Sequence, residues 1–177
     1  MMRRLVLAIA AVFSAAPALA ENGLRTGEVV AAAGVICAGM TTGQRDAPDT
    51  ISGRALVIDR VPQFAAPGTL VPAVIGMGFG VMAQTSGDLA TDSLTVVLTH
   101  PPMGPDNIRR QQFTSHLTEG AASFVFFHFD HQYELVTGRW TLTAMSHGDI
   151  AYRVAFDIVA PQDAPELATL CDVAPMS

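Results

Sequence analysis

The sequence predicts an all-β fold of two packed antiparallel sheets, and three observations carry that expectation. Short segments alternate apolar and polar residues at a period of two, as half-buried strands do. Glycine and proline break the chain between these segments, and no long amphipathic helix pattern occurs. Residues 122–159 hold five of the nine Phe, both Tyr and the only Trp. Large aromatics bury the most area per residue, so this stretch anchors the core. About seven to eight such strands fall in the range of an immunoglobulin-like antiparallel β-sandwich.

The first twenty residues, MMRRLVLAIAAVFSAAPALA, pair two arginines with an apolar run and end on Ala18-Leu19-Ala20. This is the pattern of a secretory signal peptide, residues 1–20, cut after Ala20. It leaves a single domain over residues 21–177, expected to be periplasmic or secreted. Removing Arg3 and Arg4 from the ten basic residues, all Arg, leaves eight against sixteen acids, a net charge of −8. A lysine-free, acidic chain without clustered arginines excludes nucleic acid and anionic lipid as expected partners. Cys37 and Cys171 are the only cysteines, and an even pair in an exported chain reads as one disulfide.

Taken in order, residues 29–37 (VVAAAGVIC) are apolar on both faces, and their β-branched residues make them a strand. Residues 41–50, with Gly43, Asp46, Pro48 and Asp49, read as a loop. Residues 54–60 form a strand with Leu56 and Ile58 on one side, closed by Pro62. The uncharged run 61–87 has the length of a membrane helix, but Pro62, Pro67 and Pro72 cut it. What remains is too short to cross about 30 Å of hydrocarbon as a helix, so no span is expected after signal cleavage. Its second half instead alternates as a strand. Ile75, Met77, Phe79, Val81 and Ala83 take one face and Gly76, Gly78 and Gly80 the other, leaving a groove where an aromatic ring or another backbone lies close.

Residues 93–99 alternate as a further strand, which the His100-Pro101-Pro102-Met103 segment is expected to end. Residues 108–120 are polar and read as a long connection. An aromatic strand follows over 123–129, then a bend at Thr137-Gly138 and a hairpin over 139–159. Setting Trp140, Leu142 and Ala144 opposite Phe156, Val154 and Tyr152 predicts an odd-numbered turn, His147-Gly148-Asp149. The proline-bearing tail has room for a helical turn around residues 165–170 before Cys171.

Several of these segments occur together in a recognisable order over residues 51–159. They are Thr69-Leu70-Val71-Pro72-Ala73 with Gly76 and Phe79-Gly80, then His100-Pro101-Pro102, Phe129-Asp130, and Glu134-Leu135-Val136-Thr137-Gly138-Arg139-Trp140. This order resembles a bacterial exported family known only as a domain of unknown function. The resemblance implies an exported β-sandwich with no established activity and no catalytic residues to carry over. The family usually has Pro where this chain has Thr137.

For chemistry, His128, Asp130 and His131 form the tightest group of potential metal ligands. On a strand His128 and Asp130 share a face and His131 points away. His100, or Met77, Met82 and Met103 as soft ligands, would have to complete a copper site, so no metal site is assigned. No Gly-x-Ser-x-Gly, phosphate loop or cofactor motif is present, and the chain is read as a non-enzyme that carries no cofactor. Phe124, Phe126, Phe127, Phe129 and Trp140 could make a carbohydrate platform, but their apolar neighbours favour a core. The expectation is a non-enzymatic binding or structural module of the periplasm or cell envelope, whose partner is a protein or envelope component. Its binding surface would be a loop of His100, Pro101, Pro102 and Met103, beside His128, Asp130 and His131. The alternative is a small exported copper, zinc or ligand binder that uses the same histidines.

Overall fold

The computed structural model describes residues 29–39, 41–60, 62–85 and 90–171, so the expected leader at 1–20 lies outside the described residues. The strands are β1 (Val29–Cys37), β2 (Gly43–Asp46), β3 (Arg54–Val57), β4 (Ala66–Pro67), β5 (Leu70–Pro72), β6 (Met77–Thr85), β7 (Thr91–Met103), β8 (Ile108–Leu117), β9 (Ser123–His128), β10 (Gly138–Ser146) and β11 (Asp149–Val159). One helical turn, α1 (Pro165–Ala168), follows in the tail. One sheet has the order β4-β1-β6-β9, a second β5-β11-β10-β7-β8, and β2-β3 stands apart as a hairpin. The pairings are antiparallel except that β5 runs parallel to β11.

The two larger sheets form the expected sandwich. From one side Met77, Phe79, Val81 and Ala83 point inward at 0% exposure; from the other come Trp140, Leu142, Ala144 and Phe156. Phe79 lies 4.5 Å from Phe156 and 5.7 Å from Trp140, ring to ring, so the sheets meet through aromatic contacts. Ile75, expected on this face, is exposed in the turn before β6.

The glycine face of β6 forms the groove read from sequence. A Cβ on Gly80 would stand 2.6 Å from the Phe124 ring, and one on Gly78 2.6 Å from the His128 ring. Gly34 on β1 lies equally close under Phe64. Phe64, Phe124, Phe126 and His128 form a row with centroids 5.3 to 5.8 Å apart, covering the outer face of this sheet.

Four sequence expectations need correction. Residues 43–46 are not loop but strand β2; every residue of it is exposed, so it carries no hydrophobic signal. Residues 108–117 are not a connection but the edge strand β8, whose inward positions include a buried polar residue, Gln111, that hides the alternation. His100-Pro101-Pro102-Met103 does not end a strand or form a loop, because β7 runs through to Met103. The register to β8 shifts between Thr99 and Met103 and β10 stops pairing at Thr99, so the prolines occupy positions where no ladder N–H is needed. The β10–β11 turn is not odd-numbered: Ser146 pairs with Asp149 across His147-Gly148. The buried register is nonetheless the expected one, Trp140 with Phe156, Leu142 with Val154 and Ala144 with Tyr152, because a bulge at Ala151 supplies the extra residue.

Cys37 and Cys171 are bonded, with Cα atoms 5.3 Å apart, tying the end of β1 to the tail.

Candidate binding cleft

Two of the segments singled out in the sequence, His100-Pro101-Pro102 and the run from Glu134 to Trp140, meet in the structure, and they do so as packing. The His100 ring lies 4.6 Å from Trp140. Trp140 Nε1 donates to the Val136 carbonyl at 2.9 Å, and Gly138, at φ +125°, passes so close to Pro101 that a Cβ would stand 3.0 Å from it. His100 Nδ1 lies 2.8 Å from the Pro101 carbonyl, which can only accept, so Nδ1 holds the proton and Nε2 accepts from Gln111 Nε2 at 3.2 Å. Gln111 Oε1 in turn accepts the Ile51 N–H at 2.9 Å. Burial pulls the His100 pKa below its ordinary value against the bond to Pro101, favouring this neutral form.

That relay anchors the β2–β3 hairpin. The Gln112 N–H donates to Asp49 at 3.0 Å, and the Arg45 guanidinium donates to the Thr114 carbonyl. The hairpin is therefore fixed to the outer edge of β8, while no hydrogen bond among the described residues joins it to β9. A cleft of about 180 Å³ remains between hairpin, β8 and β9. Leu56, Phe113, Phe126 and Phe127 line it together with Arg54 and His128.

His128 is 5% exposed, and its Nε2 makes no hydrogen bond. Burial lowers its pKa, opposed by Asp130 and by the nearby Cys37 backbone, so the ring is held toward its neutral state. At the mouth Glu134 turns inward, and its Oε2 accepts the N–H groups of Asp130 at 2.6 Å and His131 at 2.8 Å. Burial raises the Glu134 carboxyl pKa while those bonds oppose the shift. His131 and Tyr133 stack at 5.1 Å on the surface.

The structure thus separates the residues expected to act together. His128, Asp130 and His131 reach the cleft; His100 and Met103 are buried in the sandwich at 6% and 1% exposure, with Pro101 and Pro102 half-buried. Among the described residues no group of three or more His, Cys, Asp or Glu side chains could hold a metal ion. Sequence reasoning placed Arg54 and Leu56 on a strand but missed them as cleft residues, because the partner strand β2 buries nothing and reads as loop, which hides the hairpin. The glycine groove was the one available signal, since it called for an aromatic ring or a backbone against β6; Phe124 and Phe126, expected in the core, lie on that outer face instead.

The family model of a domain of unknown function, DUF3859, matches residues 28–158. No curated protein matches the chain. Among solved structures, an immunoglobulin-like protein from Pseudomonas aeruginosa is similar over 76% of this chain and 99% of its own, at 23% identity and a TM-score of 0.50. That likeness shows the fold. An alkylpurine DNA glycosylase from Pseudomonas fluorescens, bound to DNA with an abasic-site analogue, is 13% identical over 52% of this chain and 28% of its own, at a TM-score of 0.33. A β-D-glucoside glucohydrolase from Trichoderma reesei is also 13% identical, over 75% and 19%, with the same TM-score. At those scores neither carries an argument about activity.

Proposed function

The chain belongs to the DUF3859 family, and from that premise we propose that it is a non-enzymatic, exported binding module of the periplasm or cell envelope that recognises its partner in the cleft beneath the β2–β3 hairpin. The observation that carries this reading is the cleft itself. It is concave, walled by aromatic and aliphatic side chains, and supplied with a few polar groups, the usual make-up of a recognition site. It also lies between a fixed sandwich and an appended hairpin, where recognition segments commonly sit. Export is supported by the leader pattern at 1–20 and by the disulfide.

The reading is tested in two steps. Cell fractionation with N-terminal sequencing should find the mature chain outside the cytoplasm, beginning at Glu21. A photo-cross-linking residue at exposed Ser52, on the cleft wall, should then trap adducts that disappear when Leu56→Trp fills the cleft. Adducts that survive Leu56→Trp, or that form equally from exposed Arg139, would place recognition elsewhere.

A further inference from the structure

Resting on the cleft reading, we propose that the occupant is an extended peptide that adds as a strand to the free edge of β9 and directs a carboxylate at Arg54. The hydrogen-bond phase of β9 follows from two contacts. The Phe129 N–H donates to Met77 at 2.9 Å, and on the far side of β6 the Ala38 N–H donates to Gly76 at 2.7 Å. With Phe79 opposite Phe127 and Gly80 opposite Phe126, Val125 and Phe127 therefore turn their N–H and C=O groups toward β6. Phe124, Phe126 and His128 turn theirs away from the sheet, and no partner meets them among the described residues.

The strands at the other three edges of the two larger sheets carry protective features, although β4 pairs only with Gly34 and Val35 of β1 and β5 only with Asp157–Val159 of β11. β4 is two residues long and ends in Pro67; β5 ends in Pro72. β8 carries Arg109 and Arg110 and is covered by Asp49 and Arg45 of the hairpin segment. Length, proline, charge and covering segments are the devices by which edges avoid pairing, and β9, with the sequence SFVFFH, has none of them. An uncharged, aromatic edge left open beside a cleft is a template for strand addition.

The cleft also selects the occupant. Residues 124, 126 and 128 and the hairpin are walls of the same space, so the edge is recessed. A single strand, about 4.8 Å from its neighbour, enters such a recess more readily than the broad edge of a second folded copy. Arg54 is a lining residue of the cleft; its backbone is bonded to Thr50 and Ser52, but its guanidinium has neither an ion pair nor a hydrogen bond among the described residues. An acidic side chain or terminal carboxylate on the peptide supplies its complement.

The test uses the mature chain and the acetylated hexapeptide TVTVTE, with titration calorimetry as readout. The peptide should bind saturably, and Arg54→Gln should weaken TVTVTE but not TVTVTQ amide. Phe126→Pro removes an outward N–H without touching the ladder to β6. It should bind at least about tenfold more weakly than Phe126→Ala, which keeps that N–H. Should Phe126→Pro fail to fold, peptides N-methylated on alternate amides decide the matter: one alternate set should lose binding and the other retain it. Equal binding by the two Phe126 variants, equal tolerance of both methylated sets, or no binding at millimolar peptide overturns strand addition. So does a concentration-dependent dimer that the peptide cannot dissociate. Those failures leave the Ser52 cross-linking result, and hence the cleft reading, standing on its own.

Discussion

Trp140 shows two physical effects acting on one side chain. Its indole is fully buried among Phe79, Phe127 and Phe129, and its only N–H is satisfied by Val136. Trp140→Ala should lower stability by about 3 to 5 kcal/mol, measured by urea denaturation, whereas Trp140→Phe should lose less because only part of the volume and one hydrogen bond go. The buried histidines make stability depend on pH with a definite sign. Burial lowers the pKa of His100 and of His128 below 6.5. Between those lowered values and 6.5 the unfolded chain takes up protons that the folded chain refuses, so stability is complete above about pH 6.5 and is lost as pH falls. Glu134, raised above 4.5, acts oppositely, its contribution being present below 4.5 and lost as pH rises through the folded value. The melting temperature should therefore climb from about pH 5.5 to 7, and a His100→Asn/His128→Asn variant should abolish the climb. An unchanged slope in that variant would show that neither ring is held neutral.

At the scale of elements, legibility followed burial. β6, β9, β10 and β11 were readable because one face of each is apolar and points into the core, and the Trp140–Phe156 register followed from that face alone. The turn joining β10 and β11 did not follow, because a bulge and a two-residue turn place the same residues inward as an odd loop does. β2 and β8 were illegible for different reasons. β2 buries nothing, and β8 puts Gln111 where an apolar residue would have marked it. His147 and Gly148, at φ +51° and +89°, take the positive values that a type I′ turn demands. His147→Asn should thus stabilise the hairpin by about 0.5 kcal/mol, detectable as a rise in melting temperature. Gly80→Ala should destabilise by about 1 to 3 kcal/mol, since its Cβ would meet the Phe124 ring and the Val125 carbonyl. A neutral result would mean that the aromatic row rests less closely on β6 than these contacts require.

Across the whole molecule, the disulfide joins residues 134 apart in sequence. In the chain-entropy model closing so long a loop is worth about 5 kcal/mol, so a Cys37→Ala/Cys171→Ala chain should lose stability approaching that figure in denaturant titrations. The site was only partly legible at this scale. His128, Asp130 and His131, singled out in the sequence, line the cleft, but its opposite wall is the β2–β3 hairpin, held to β8 by the Gln112–Asp49 backbone bond and by Arg45 and Gln111, contacts that no apolar pattern encodes. The claim on which peptide addition in the cleft turns is that β9 is an open edge. Amide hydrogen exchange of the free chain, read residue by residue by NMR, tests it most directly. Along β9 the account predicts strict alternation, with slow exchange at Val125, Phe127 and Phe129 and fast exchange at Phe124, Phe126 and His128. Uniformly slow exchange along all six would mean that the edge is already paired, and would contradict it.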